Sequence, residues 1–386
     1  MLHIGINGRS LFRLMTGVQR YAFEVTRELA GMAGDDLRVS VFAGREGRGD
    51  RSGLPLRPGL LPAGGGAKGL LWEQAVLRRM AARAGVDVLF NPGNVAPVAL
   101  RIPQVVTIHD LAFMVYPQFF SHSFASWYRF VIPRVARESS AVIAVSENTR
   151  SDLVAILDID PSRIAVIPPA ASRSFSQPVK REEIERVRTL YKLPQRFFLS
   201  VSSLEPRKNL RRLIQAYRIL PDPVTEEHGL VLVGAGNRVF ADPDIAAILR
   251  RDGRGSVVSP GYIPAEDLPA IYRMATALVF PSLYEGFGLP VVEAMAASTP
   301  VITSNRSSLP EVAGKAAVLI DPESIEELAA AMELMATNSG TRNLLVERGK
   351  LRAARFTWER TGREVLGVLR AVASGEPLPA PGPPGA

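Results

Sequence analysis

The sequence predicts an α/β chain of two doubly wound domains, each a parallel sheet with helices on both faces. Three observations lead there. Short apolar, β-branched runs alternate with longer segments of helical period, the signature of strand–helix–strand units. The strand candidates read as buried on both faces, as strands of parallel sheets are. The whole alternation also occurs twice in 386 residues, a length too great for one ordinary core and suited to two domains of roughly 100–200 residues each.

In order along the chain, strands are expected at 3–7, 37–43, 86–90, 104–108, 141–145 and 164–167, then at 196–201, 230–233, 256–259, 277–280, 300–303 and 317–319. Helices fall between them. Residues 17–32 place Val18, Tyr21, Ala22, Val25 and Leu29 on one stripe, the spacing of an amphipathic helix. Residues 209–220, 266–275, 324–337 and 341–355 behave likewise. The first round closes near Pro168 and the second opens near Pro194, with the charged stretch 180–192 as linker and first helix of the second unit. The expected domains are 1–178 and 179–357, followed by a helix over 358–373 and a Pro/Gly-rich tail, 374–386, that should be disordered. Residues 44–69, rich in Gly, Pro and Arg, read as a long mobile loop. Ligands of such sheets bind beyond the strand C-terminal ends, so a cleft between the two sheets is the expected binding place.

Composition narrows the function. Apolar residues make up 47% and charged residues 22%, the profile of a globular chain. The absence of cysteine excludes a disulfide scaffold and thiolate metal sites and favours an intracellular setting. The net charge of +8, from 46 Lys and Arg against 38 Asp and Glu, suits nucleic acid, acidic lipid or phosphorylated substrates; Arg-rich solvated helices account for it equally well. The apolar runs fall short of the ~20 residues that cross a bilayer. Residues 1–9 lack a basic stretch followed by a long apolar one, so a first core strand is expected there and not a signal peptide.

The most informative segment is Tyr284-Glu-Gly-Phe-Gly-Leu-Pro-Val-Val-Glu-Ala-Met-Ala296. It follows a strand and opens a helix. Pro290 suits the first helical turn, Gly286 and Gly288 allow close backbone approach to a ligand, and the N–H groups of a helix start favour an anion. Two carboxylates, Glu285 and Glu293, stand eight positions apart, with Glu293 expected in the first turn. One is suited to sugar hydroxyls and the other to a ribose pair. The plainer reading is a strand–turn–helix with a glutamate favoured by the helix dipole. A second segment, Ser202-Ser-Leu-Glu-Pro-Arg-Lys-Asn209, also joins a strand to a helix. Arg207 and Lys208 would project there toward a diphosphate, one with planar paired donors and one as a point charge. A merely solvated pair of cations is disfavoured at a helix N-terminus.

Together these segments resemble the signature of the retaining GT-B glycosyltransferases of family GT4. The family carries E-G-F-G-x-x-x-x-E, which Glu285 to Glu293 matches without departure, and an R-K pair after the first strand of its C-terminal domain, which Arg207-Lys208 matches. Thr16-Gly-Val-Gln-Arg-Tyr21, Leu71-Trp-Glu-Gln74, Thr107-Ile-His-Asp-Leu111 and Ala144-Val-Ser-Glu-Asn-Thr-Arg150 are similar to its N-terminal domain. Gly261-Tyr-Ile263 and the stretch from Pro300 to Gly314 are similar to its C-terminal domain. The likeness runs from residue 1 to about Trp358.

The resemblance implies a GT-B fold, two Rossmann-like domains facing across a cleft, and transfer of a hexose, mannose favoured, from a nucleotide-diphosphate sugar to a glycan or lipid-linked acceptor in polysaccharide or lipopolysaccharide biosynthesis. It implies that Glu293 binds the ribose and that Glu285 contacts the donor sugar, with backbone N–H groups of Gly286, Phe287, Gly288 and Leu289 on sugar and phosphate. Arg207 and Lys208 would hold the departing diphosphate, and Gly17 would let the N-terminal domain close over the phosphates. His109 would lie by the reacting face of the sugar, Tyr262 and Ile263 would border the base, and Gly234 would line the same pocket. The last helix would cross back to the N-terminal domain. A GDP-sugar donor, no metal cofactor, no nucleic-acid partner and a cytoplasmic enzyme with peripheral membrane contact complete the expectation.

Other residues read more plainly. A lone His such as His109 is more often structural than catalytic. Gly234-Ala-Gly236 lacks the dinucleotide fingerprint. Asp158-Ile-Asp160 and Asp242-Pro-Asp244 have the D-x-D form of metal-dependent transferases, but their positions suit turns and caps. The segment from Trp127 to Arg137, mixing aromatics with Arg, reads as a core helix with a basic outer face or as a membrane-facing one. A sugar-nucleotide-binding protein of the same fold without turnover is the alternative function; retention of Glu285, Glu293, Arg207 and Lys208 argues against it. A nucleic-acid binder rests on net charge alone.

Overall fold

The computed structural model describes residues 1–12, 15–45, 53–59, 63, 66–234 and 255–380. Contacts gather the chain into two compact units. The first comprises Met1–Leu111, Ser126–Pro169 and the chain from Thr357 on; the second comprises Ala112–Ala125 and Ala170–Phe356. This division departs from the linear one read from the sequence in two ways. The boundary falls at 169/170 and not at 178/179, and residues 112–125 pack with the second unit although they follow a strand of the first. The helices that frame the sites are α1 (Gly17–Gly31), α2 (His122–Glu138), α3 (Leu210–Arg218), α4 (Leu289–Ala296) and α5 (Trp358–Ser374).

Among the described residues, the first unit is built on seven strands, β1 (Leu2–Asn7), β2 (Leu37–Ala43), β3 (Leu56–Pro58), β4 (Val88–Asn91), β5 (Gln104–Ile108), β6 (Ala141–Ala144) and β7 (Ile164–Val166), in the order β3-β2-β1-β4-β5-β6-β7. Every pairing is parallel, with Ile4 opposite Val39 and Val88 and with Val106 opposite Val142. β3 corrects the reading of 44–69 as loop throughout. It is a three-residue edge strand paired to β2, too short and too polar to show a periodicity, and its proline is tolerated because an edge needs fewer ladder bonds. Residues 46–52, 60–62 and 64–65 of that stretch lie outside the described residues. The stripe of α1 is buried at Tyr21, Ala22, Val25 and Leu29. Against α1 packs α5, with the Trp358 and Tyr21 rings 6.1 Å apart and the Thr361 hydroxyl donating to Pro168 O at 2.8 Å. Helix α5 runs to Ser374, the first residue of the expected disordered tail; residues 381–386 lie outside the described residues.

Among the described residues, the second unit carries six strands, β8 (Arg196–Val201), β9 (His228–Val233), β10 (Val257–Gly261), β11 (Ala277–Phe280), β12 (Val301–Ser304) and β13 (Val318–Ile320), in the order β10-β9-β8-β11-β12-β13. All pairs are again parallel. Phe198, Leu213, Ile214, Tyr217, Leu232, Val279, Ile302 and Met332 form its packed core. Both units are therefore Rossmann-like. In the second, the order of strands reverses between β8 and β11, which lie side by side with Leu278 opposite Leu199. Doubly wound sheets hold ligands at such a reversal, beyond the strand C-terminal ends. The loops that leave β8 and β11 carry the two motifs singled out from the sequence.

Candidate active site

The loop after β8 enters a short 3-10 turn, Pro206–Lys208, which ends at Asn209 in the left-handed conformation, φ 61°. Asn tolerates that region better than most residues because its side chain bonds locally. Here the Asn209 amide donates to Pro281 O at 3.1 Å and to Pro322 O at 2.6 Å, and the Leu283 N–H donates to Arg207 O at 2.8 Å. These bonds tie the β8 loop to the β11 loop. Arg207 and Lys208 are thus fixed by a turn and do not sit on the strand end or in the first turn of α3.

Their side chains converge on Glu285. Lys208 Nζ lies 2.5 Å from Glu285 Oε1, and Arg207 Nη1 lies 3.2 Å from Oε2 and 3.2 Å from Tyr284 O. Glu205, a residue the sequence reading did not single out, completes the set. It accepts from Arg207 Nε at 2.7 Å and from the Ser203 hydroxyl at 2.7 Å. Glu285 is only 7% exposed and Lys208 is buried over the Phe280 ring at 5.5 Å. Burial alone would raise the Glu285 carboxyl pKa, but Lys208 and then Arg207 outweigh it and hold the group below its ordinary value. Burial and Arg207 pull the Lys208 ammonium below its ordinary value, against the opposing pull of Glu285 and Glu205. The result is a charge-balanced set of two carboxylates and two cations, with Glu285 and Lys208 buried and Glu205 and Arg207 partly exposed.

The β11 loop runs to Gly288, the N-cap of α4, at φ 100°. A side chain there would be strained, and its Cβ would stand 2.5 Å from Leu309 Cδ2. The first bond of the following turn is Val291 N–H to Gly288 O at 2.9 Å. Pro290 sits in the first turn as expected. Glu293 does not: it is the fifth residue of α4, in the second turn, so the helix dipole contributes little to its charge. It is 4% exposed, and its Oε2 accepts from the Tyr272 hydroxyl at 2.9 Å. Tyr272 gave no sequence signal, because its partner lies 21 positions away.

Gly234 follows β9 at φ 150°, and a Cβ there would fall 1.7 Å from Ser202 O, so only glycine fits against the β8 loop. Its N–H donates to Gly261 O at 2.9 Å, which joins the loop after β9 to that after β10. Beyond Gly261, Tyr262 is 42% exposed and Ile263 is buried. Gly236 and Asp242-Pro-Asp244 lie outside the described residues.

His109 and Gly17 belong to the first unit. The His109 N–H donates to Asn94 Oδ1 at 2.7 Å, its Nε2 lies 2.9 Å from Pro92 O, and its ring meets Tyr21 edge-on at 4.9 Å. Burial pulls the imidazole pKa below 6.5, against the Pro92 bond and Asp110. Gly17 opens α1, and a methyl group at that position would meet nothing within 4 Å among the described residues. Asp158 caps a helix C-terminus in the left-handed region, and Asp160 caps the next turn through Ser162 N–H at 2.9 Å, so this D-x-D is turn and cap chemistry. Among the described residues no group of three His, Cys, Asp or Glu side chains is placed to hold a metal ion, and no helix is long and apolar enough to cross a membrane.

Comparison with known proteins adds identity to this geometry. Residues 15–175 match the model of Glycosyltransferase Family 4, and residues 181–352 match that of Glycosyl transferases group 1. The chain is 31% identical over 270 residues to O-antigen chain mannosyltransferase B of Escherichia coli, covering 69% of this chain and 70% of the relative. It is 30% identical over 246 residues to the serotype-specific mannosyltransferase WbdA of Escherichia coli, covering 62% of this chain and 30% of that longer relative. Among solved structures, sucrose-phosphate synthase from Thermosynechococcus elongatus superposes with a TM-score of 0.75 over 97% of this chain and 100% of that one, at 20% identity. Two Rossmann-like units, a carboxylate bridged by Arg207 and Lys208 at the reversal of the second sheet, and these matches together make the chain a GT-B glycosyltransferase of family GT4.

Proposed function

We propose that this glycosyltransferase moves a hexose, mannose favoured, from a nucleotide-diphosphate sugar to a glycan or lipid-linked acceptor in polysaccharide or lipopolysaccharide assembly, with retention at the anomeric carbon and without a metal. The observation that carries the reading is the bridge of Glu285 to Lys208 and Arg207. In this reading a donor diphosphate takes over the two cations, and the released Glu285 carboxylate accepts from donor-sugar hydroxyls. As the glycosidic bond breaks, negative charge grows on the diphosphate where Arg207, Lys208 and the start of α4 already supply positive potential. Such preorganised charge is commonly the largest catalytic contribution, and it stands where a divalent ion would otherwise act. Glu293 holds the ribose, Gly286, Phe287, Gly288 and Leu289 offer backbone N–H groups, Tyr262, Ile263 and Gly234 border the base, and His109 and Gly17 serve the donor from the first unit. The open space around Gly17 supports the approach of a ligand there.

Retention with Glu285 turned to hydroxyl groups favours a same-face substitution, in which the leaving phosphate oxygen takes the acceptor proton. The mannosyltransferase relatives favour a mannosyl donor, hence a GDP-sugar. The exposed basic and aromatic surface of α2 favours an acceptor presented at a membrane, with the enzyme peripheral at its cytoplasmic face. The test is transfer from a panel of GDP- and UDP-sugars in excess EDTA, with the product linkage read by NMR. Full activity with an anomeric configuration matching the donor is expected from the GDP-mannose arm. Activity restored only by metal, or an inverted linkage, would overturn the mechanism. Turnover of UDP-sugars alone would overturn the donor assignment.

A further inference from the structure

Among the described residues, the C-terminal ends of β8 to β12 and the loops that leave them include Asn209, Gly234, Gly261, Gly288 and Ser307 at positive φ. Three are glycines. Asn209 is held by two carbonyls, as described. Ser307, at φ 51°, is a serine in a region that costs an L-residue roughly 1–2 kcal/mol, and such strain persists where surrounding contacts dictate it.

Those contacts are with the Glu285 loop. The Ser307 hydroxyl accepts from Glu285 N–H at 2.9 Å and lies 2.8 Å from Glu285 O, to which it donates. The neighbouring Ser308 hydroxyl, fully buried, lies 2.9 Å from Glu285 O and 2.9 Å from Phe287 O. Two serines thus grip three backbone groups of the three-residue stretch Glu285–Phe287. A trans peptide is planar, with its C=O and N–H pointing in opposite directions. Holding Glu285 O and Phe287 O toward the serines therefore turns the N–H groups of Gly286 and Gly288 away from them, to one common side.

We infer that Ser307 and Ser308 are positioning residues for the donor sugar: they aim the Gly286 and Gly288 amides and fix the backbone from which the Glu285 carboxylate reaches Lys208. This rests on the reading of Glu285 as the donor-sugar contact. The left-handed backbone of Ser307 is what lets consecutive hydroxyls meet the same loop. The serines act on the sugar-facing loop and leave the ribose contact at Glu293 untouched.

The test compares Ser307→Gly and Ser308→Ala with the wild type. GDP-mannose, UDP-glucose, GDP and UDP are titrated by calorimetry, and melting is followed in parallel. Ser307→Gly removes the hydroxyl and relieves the left-handed strain together. Its Tm is expected to equal or exceed that of the wild type, while the affinity for the intact NDP-sugar falls about tenfold, a loss of about 1.4 kcal/mol. Affinity for the free diphosphate should stay within about twofold. Ser308→Ala should show the same split between NDP-sugar and diphosphate with a lower Tm. Unchanged NDP-sugar affinity in both variants overturns the proposal, as does an equal loss for sugar nucleotide and free diphosphate, which would mark a general collapse of the site. Failure of the wild type to bind any of the four compounds would instead remove the donor-site reading, and the clamp with it.

Discussion

Lys208 Nζ stands 2.5 Å from Glu285 Oε1 although the two residues are 77 positions apart. The contact joins the loops of the two adjacent strands at which the order of the second sheet reverses, so the charge chemistry of the site is set by topology. With Arg207 on the other oxygen, Glu285 offsets the charge of two adjacent cations, one of them buried. Arg207→Ala and Lys208→Ala are each expected to lower kcat by about 10²–10³, the usual loss on removing one preorganised donor to developing charge. Glu285→Gln should behave differently. It leaves the cations without their main anion, and breaking a buried pair costs roughly 3–5 kcal/mol, so the free protein should melt earlier. A nucleoside diphosphate should then raise its Tm more than it raises that of the wild type, while transfer is lost. Equal ligand-induced shifts in wild type and variant would count against this balance.

The Tyr272 hydroxyl donates to Glu293 Oε2 at 2.9 Å. A ribose contact is shared by ground and transition states, so its removal shows in affinity more than in turnover. Glu293→Gln is expected to weaken free nucleoside diphosphate binding about tenfold or more with a smaller change in kcat. Tyr272→Phe, which leaves the carboxylate but removes this bond, should fall between the variant and the wild type. Wild-type diphosphate affinity in Glu293→Gln, measured by calorimetry, would sink the assignment.

Gly234 is fixed by a contact that no other residue survives. Its φ of 150° and the 1.7 Å from a Cβ to Ser202 O mean that Gly234→Ala must push the β8 loop aside. Ser202 leads through Ser203 and Glu205 to Arg207, so the displacement reaches the site. A loss of roughly 1–3 kcal/mol is expected, with a fall in Tm of several degrees and reduced donor affinity. A variant with unchanged melting would show that the loop yields without cost.

Acid should weaken the fold before it touches the carboxylates. Burial pulls the pKa values of His3, His109 and His228 below 6.5. As pH falls below about 6.5, the unfolded chain takes up protons that the folded chain refuses, and stability drops. Glu24, whose carboxyl burial raises above its ordinary value, works in the opposite sense but is one group against three. Tm should hold between pH 8 and 7 and decline on the way to pH 5.5. A flat profile over that range would refute the sign.

Much of the fold was legible because strands buried on both faces leave continuous apolar runs and the helices between them keep their period. β5, β8 and β11 fall where the sequence places them. What escaped depends on pairs far apart in the chain. β3 is recognised by its partner β2 and by nothing in its own residues. Residues 112–125 join the second unit through contacts such as Tyr116 against Tyr284, ring centroids 6.0 Å apart, which no local pattern announces. At the site, Glu285, Arg207 and Lys208 carried a motif, whereas Glu205, Tyr272, Ser307 and Ser308 carry only geometry. The placement of Glu293 in the first turn failed because helix α4 begins at Leu289, four residues before it.

The outer face of α2 bears on where the enzyme works. Trp127 is 39% exposed and Phe130 is 57% exposed, their rings 6.4 Å apart, and the Arg134 guanidinium lies 4.8 Å over the Phe130 ring. Arg129 and Arg137 lie on the same helix and are also exposed. The inner face, with Val131, Ile132, Val135 and Ala136, is fully packed, so this is a core helix whose outer face carries aromatics among cations. Amphipathic aromatic rings settle at the boundary of headgroups and acyl chains, and each nearby Lys or Arg adds about 1 kcal/mol on an anionic surface. The protein is therefore expected to sediment with vesicles of anionic phospholipid at low salt and to release at high salt, and not to bind zwitterionic vesicles. Phe130→Glu with Arg134→Gln should abolish sedimentation while leaving melting and nucleotide affinity unchanged, since both side chains face solvent. Binding that survives the double variant would assign the membrane contact to another surface. The absence of binding in the wild type would remove the membrane from the proposed function.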